Sequence, residues 1–77
     1  MIDPDDIQEL LDKEPFRPFR IRMADGNSYL VRNPDLVVPM QSQLFIALPE
    51  DRWKFLSYVM MTSIEDGRTT RRSRKAG

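Results

Sequence analysis

Arginine is the residue with the most chemistry to offer in this chain. Arg68, Arg71, Arg72, Arg74 and Lys75 fall within the last ten residues, with no acid among them. A run of like charge without apolar neighbours can contact phosphates, each contact adding salt-dependent affinity. The same run can be a solvated tail that pairs loosely with acids elsewhere. Arg20 and Arg22 share one parity of an alternating stretch, Arg17 and Arg32 flank it, and no acid lies between residues 15 and 24. They read as a basic strip for an anionic partner, or as the wet side of a half-exposed strand. The candidate nucleic-acid contacts are therefore Arg20, Arg22, Arg68, Arg71, Arg72, Arg74 and Lys75.

Catalysis has little to work with. The chain holds neither His nor Cys, which removes the usual general base, the thiol nucleophile and zinc sites built on either residue. Ser28, Ser42, Ser57, Ser63 and Ser73 have no evident base beside them, and no Gly-x-Ser-x-Gly elbow occurs. The three glycines form no phosphate-cradling loop. Asp3, Asp5 and Asp6 mimic the start of a calcium loop, but the Gly and the closing Glu at the required spacing are missing. Helix capping is the better account of them. The sequence names no catalytic residue, no metal ligand and no cofactor, and implies no small-molecule substrate. It reads as a non-enzyme. Phe45, Trp53, Phe55 and Tyr58 could stack bases, yet a domain this small needs its aromatics inside, so the core is assigned them first. Met40, Met60 and Met61 read as gap fillers or an interface patch.

These side chains need a frame. A chain of 77 residues makes one small domain. Such a domain buries only about 60% of its unfolded surface, and self-association is one remedy for the thin margin. The net charge of zero hides a separation. Residues 1–14 hold six acids and one base, a net of −5; residues 68–77 hold five bases and no acid, a net of +5. No apolar run approaches the ~20 residues that span a bilayer. The acidic beginning resembles neither a secretory signal nor a transit peptide. The expectation is a cytoplasmic protein without membrane contact.

The spacing predicts a helix over 3–13. Asp3 is its N-cap, Pro4 its first residue, and Ile7, Leu10 and Leu11 its apolar stripe. Pro15 and Pro18 end helical geometry. Phe19, Ile21 and Met23 then alternate with Arg20 and Arg22, the period of a half-buried strand. Asp25-Gly26 predicts a two-residue hairpin turn and Ser28–Arg32 the return strand. Leu36–Val38 is a short β-branched run ended by Pro39 that suits an edge or a bend, and further strands are expected at Leu44–Leu48, Arg52–Ser57 and Met61–Glu65. Tyr58–Met60 reads as a tight turn or one turn of 3₁₀ helix.

Pro15-Phe16-x-Pro18-Phe19-Arg20-Ile21, then Asp25-Gly26, Asn33-Pro34 and Thr62-Ser63-Ile64-Glu65, resembles a group of short bacterial proteins of unknown role. That group more often has His-Pro at the Asn33-Pro34 position. The resemblance covers residues 10–65 and implies a fold without a function. The helix, then Phe19-x-Ile21-x-Met23-x-Asp25-Gly26, also resembles the layout of Sm-like proteins, bent barrels that form rings and bind RNA. Their second motif, of Ile/Leu-Arg-Gly-Asn type, is replaced here by Met61-Thr62-Ser63-Ile64-Glu65. The resemblance therefore carries over no RNA-binding residue.

The resulting expectation is a mainly β (α+β) domain over 1–67. It has an N-terminal helix and a five-stranded, strongly bent small barrel of Sm-like or SH3-like type over 16–65, followed by a disordered basic tail over 68–77. Its expected role is a non-catalytic interaction module that joins copies of itself or a protein partner. The alternative is a nucleic-acid (RNA) binder using the tail and the strand arginines.

Overall fold

A computed structural model of the chain describes residues 2–66 and 70–72. The chain begins with helix α1, Pro4–Leu11, which is shorter than the predicted span at both ends. Asp3 and Asp6 close a reciprocal cap. The Asp6 N–H donates to Asp3 Oδ1 at 3.1 Å and the Asp3 N–H donates to Asp6 Oδ2 at 3.0 Å. Two of the helix's free amide donors are thereby satisfied, and the acids sit at the positive end of its dipole. Ile7 and Leu10 are buried, so the helix is held by docking rather than by its own propensity.

Among the described residues the strands are β1 (Phe19–Met23), β2 (Ser28–Val31), β3 (Val37–Pro39), β4 (Gln43–Leu48), β5 (Arg52–Ser57), β6 (Met61–Glu65) and β7 (Thr70–Arg72). They form two antiparallel sheets. The first has the order β2-β1-β6-β7 and the second β3-β4-β5. The fold is mainly β as expected, and its described strands form two sheets joined by short 3₁₀ turns rather than one continuous closed sheet. Pro34–Leu36 carries the chain from β2 into β3, and Tyr58–Met60 carries it back from β5 to β6. Pro34 has no N–H to give to a ladder, and the Asn33 side chain accepts from the Asp35 N–H at 2.9 Å. The chain therefore breaks its strand there instead of bending through it.

The β1–β2 connection also differs from expectation. Arg22 pairs with Ser28, which leaves Ala24–Asn27 as the loop rather than Asp25-Gly26 alone. Gly26 does take the positive φ that the turn requires, at 92°. The β4–β5 connection places Glu50 and Asp51 at φ of 65° and 60°. Left-handed backbone in residues with a Cβ is strained by about 1 kcal/mol each.

The inner faces meet in one core. Phe19, Ile21, Val31, Met61 and Ile64 come from the first sheet, and Val37, Leu44, Ile46 and Leu56 from the second. Ile7 and Leu10 of α1 join them. A bulge between Arg22 and Met23 lets Ile64 pair with Ile21 and Met61 with Met23, so both point inward although their spacing is odd. Thr62 is left over, and its hydroxyl donates to the Arg22 carbonyl at 3.2 Å. Lys13 reaches across from the end of α1 to Asp66, just past β6, at 3.5 Å. The expected disordered stretch 68–77 contains β7, which lies antiparallel on β6 with Thr70 opposite Glu65. The other residues of that stretch lie outside the described residues.

Candidate binding surfaces

Side chains alternate across a strand, so each sheet turns one parity inward and the other to solvent. In the second sheet the inward parity is fixed by Leu44 and Ile46, both buried. Leu44 pairs with Leu56 and Ile46 with Lys54, so Trp53 and Phe55 must face out. This corrects the assignment of the aromatics to the core. Tyr58 is buried as expected, but Trp53 is 60% and Phe55 44% exposed. Phe45 is half-buried and packs against both.

The pairing builds one continuous patch. Val38 stands opposite Phe45, Phe45 opposite Phe55, and Ala47 opposite Trp53. Phe45 and Trp53 stack with ring centroids 6.3 Å apart. Phe55 sits edge-on to both, 5.7 Å from Phe45 and 5.5 Å from Trp53. Val38, at 52% exposure, extends the patch over the neighbouring strand. Gln43 and Ser57 complete the outward parity of β3, β4 and β5, and no member of that parity is charged. Exposed rings in contact with one another, with no charge among them, are how contact surfaces differ from ordinary solvent-facing strands.

The cation nearest this patch in sequence is engaged on the other face. Lys54 Nζ donates to Tyr29 Oη at 2.9 Å and lies 5.5 Å from the Tyr29 ring centroid. That hydrogen bond, more than any other influence, raises the ammonium's pKa. The turn leading into β5 carries the acids Glu50 and Asp51. An anionic ligand would thus meet carboxylates at one end of the rings.

The first sheet presents a different surface. Arg20 and Arg22 do share the outward parity of β1, as the alternation predicts. Arg22 Nε donates to Glu65 Oε2 at 2.7 Å, and this bond followed by the carboxylate's charge pushes the guanidinium pKa further up. Arg20 donates to Ser28 Oγ at 3.3 Å. Of the two strand arginines, Arg22 is thus salt-bridged and Arg20 is hydrogen-bonded to a neutral hydroxyl. β7 adds Arg71 and Arg72 to the sheet that holds Arg20 and Arg22, with Arg72 across from Ser63 and Arg71 across from Ile64. Arg68, Arg74 and Lys75 lie outside the described residues, and so does any contact they make. Arg17 and Arg32 are exposed.

An open groove of about 500 Å³ separates β2 from the β4–β5 turn and is lined by Tyr29, Leu30, Arg32, Leu36, Leu48 and Pro49 among others. It offers apolar walls and one cation, a place for contact rather than a convergence of groups on a reacting atom. Among the described residues no group of three or more His, Cys, Asp or Glu side chains is placed to hold a metal ion, and no helix is long and apolar enough to cross a membrane.

The aromatic patch was within reach of sequence reasoning. A three-residue connection at Pro49–Asp51 forces Leu48 opposite Arg52, and hence Trp53 opposite Ala47. Leu44, Ile46 and Leu48 then compete with Phe45 and Ala47 for the inside, and the aliphatic trio takes it. Comparison with family models, with curated proteins and with solved structures returns no match for this chain.

Proposed function

We propose that this chain is a non-catalytic interaction module that joins copies of itself or a protein partner through the outer face of its second sheet. The observation that carries this reading is the ring cluster Phe45–Trp53–Phe55, exposed and free of charged neighbours on its face. Exposing these rings to water is unfavourable by roughly 25 cal/mol per Å² of apolar surface, and covering them recovers that energy. In this reading the architecture is a small SH3-like barrel opened into two sheets at the 3₁₀ turns, working in the cytoplasm.

A second reading, RNA binding, is favoured by one observation: β7 brings Arg71 and Arg72 onto the sheet that already carries Arg20 and Arg22. Against it stand the salt bridge that occupies Arg22 and the hydrogen bond made by Arg20.

Native mass by light scattering separates the two, with the 260/280 nm absorbance ratio read on the same peak at low and high salt. The module reading expects an assembly that survives high salt, carries no nucleic acid and is lost in the double variant Trp53→Ser/Phe55→Ser. A nucleic-acid-bearing peak that dissolves in salt, and on deletion of residues 68–77, would overturn it in favour of the second reading.

A further inference from the structure

The four terminal strands of the two sheets are not equally protected. Strand edges invite pairing with another chain, and proteins blunt them by shortness, proline, bulges or charge. In the first sheet β2 runs only over Ser28–Val31 and β7 over Thr70–Arg72. In the second, β3 is equally short and ends in Pro39. β5 is different. It runs six residues, Arg52–Ser57, contains no proline, and pairs with β4 in unbroken register. Arg52, Trp53, Lys54 and Phe55 are exposed one after the other, so both faces of this half of the strand are open. Of its two cations, Arg52 lies at the first position of the strand, and Lys54, at its middle, is turned onto Tyr29.

We propose that the β5 edge pairs antiparallel with β5 of a second copy of this chain, about a two-fold axis at Phe55. The proposal rests on the self-association in the module reading above and places that contact at the β5 edge, beside the ring face rather than on top of it. Only registers that keep inward residues opposite inward ones are compatible with two copies of the same sheet. A register centred on Lys54 sets Lys54 against Lys54, and one centred on Trp53 sets Arg52 against Lys54; like charges directly opposite are destabilising. A register centred on Leu56 leaves little more than the end of the strand in overlap. Centring on Phe55 places Phe55 beside Phe55 of the second copy, Trp53 beside Ser57, and Lys54 beside Leu56, with no like charges opposed. The patches from Val38 to Phe55 then run on across the axis, and the two sheets become one. A surface must be compatible with itself to form a two-fold contact, and a face without charge meets that condition. An isologous contact also closes, so growth stops at two copies.

The chain has no native cysteine, which makes the register directly readable. In the full chain, Phe55→Cys is expected to cross-link to itself on mild oxidation. Trp53→Cys and Ser57→Cys are each expected to cross-link poorly alone and efficiently when mixed. Phe55→Lys and Phe55→Glu, each folded by circular dichroism, are expected to be monomers by light scattering and to form a one-to-one dimer when combined. Phe55 is exposed, so these changes spare the core. A dimer that persists in Phe55→Lys, or one in which position 55 does not cross-link, overturns the two-fold β5 contact and leaves the module reading standing. A wild-type chain that is monomeric at every salt concentration overturns the β5 contact and the self-association with it, and leaves the module reading only its protein-partner form. An assembly larger than two that is broken by Phe55→Lys also overturns the proposal, because a two-fold contact cannot grow.

Discussion

The outer faces of the two sheets are built from the same kind of alternating strand and end up with opposite characters. On the first sheet the outward parity of β1 is Arg20 and Arg22, tied to Ser28 and Glu65. On the second the outward parity of β5 is Trp53 and Phe55, packed against Phe45. A face that satisfies its charges internally has little to gain from a partner. A face whose rings stack on one another but remain wet gains from being covered. The character of each face in this molecule is therefore assigned by which parity the core claims in each hairpin, not by where the charge is densest in the sequence.

The contrast can be broken most forcefully with a pair of substitutions, one inside and one outside. Ile64→Ala, in the inner row of the first sheet, is expected to cost about 2–5 kcal/mol in urea unfolding followed by circular dichroism. Phe55→Ser on the outer face of the second sheet is expected to change the stability of the monomer by less than about 1 kcal/mol and to act mainly on assembly. Equal losses at the two positions would show that the aromatic face serves the fold and not a partner.

The turn that joins the sheets comes next in size. The Tyr58 hydroxyl donates to the Met40 carbonyl at 2.7 Å, and Tyr58→Phe is expected to cost about 1 kcal/mol. Burial raises the Tyr58 pKa above its ordinary 10.0. The folded state thus holds the phenol proton more tightly than the unfolded chain does. This contribution is complete below pH 10.0 and is lost as the pH rises through the higher folded value. Lys54, raised from 10.5, acts in the same direction at higher pH still. The melting temperature is expected to fall on the alkaline side, and to fall less steeply in Tyr58→Phe. An unchanged slope in that variant would remove Tyr58 as a source of the alkaline loss.

The smallest effect belongs to the charged face. Arg22 and Glu65 are both open to solvent over a third or more of their side chains, so a double-mutant cycle on Arg22→Ala and Glu65→Ala should show weak coupling that fades with added salt. Strong coupling that survives high salt would mean that the first sheet is the more rigidly built face, and would sharpen the contrast further.

Much of this architecture is legible in the residues. The cap formed by Asp3, the strands Arg52–Ser57 and Met61–Glu65, and the 3₁₀ turn at Tyr58–Met60 follow from local rules of capping and alternation. What the alternation does not reveal is which parity wins when the losing one is apolar. In β1 the losing parity is arginine and the choice is plain. In β5 it is aromatic, and the choice rests on the partner strand, where Leu44 and Ile46 claim the interior. The bulge that turns Met61 inward depends on pairing between strands far apart in sequence, and so does β7, which takes the edge left open by β6. Closure of a barrel is likewise a property of how strands meet, and Pro34 interrupts it without announcing which strand it separates.

One last consequence concerns light. Trp53 is the sole indole of the chain and is already wet in the folded monomer. Its emission will change less on unfolding than that of a buried indole, because more than half of it is already exposed. It will shift to shorter wavelength when the aromatic face is covered. Under the proposed association, fluorescence reports covering of the face more strongly than folding, the reverse of its usual behaviour. A denaturation curve traced by the indole should part company with one traced by circular dichroism, and that gap measures occupancy of the face and is no sign of a folding intermediate.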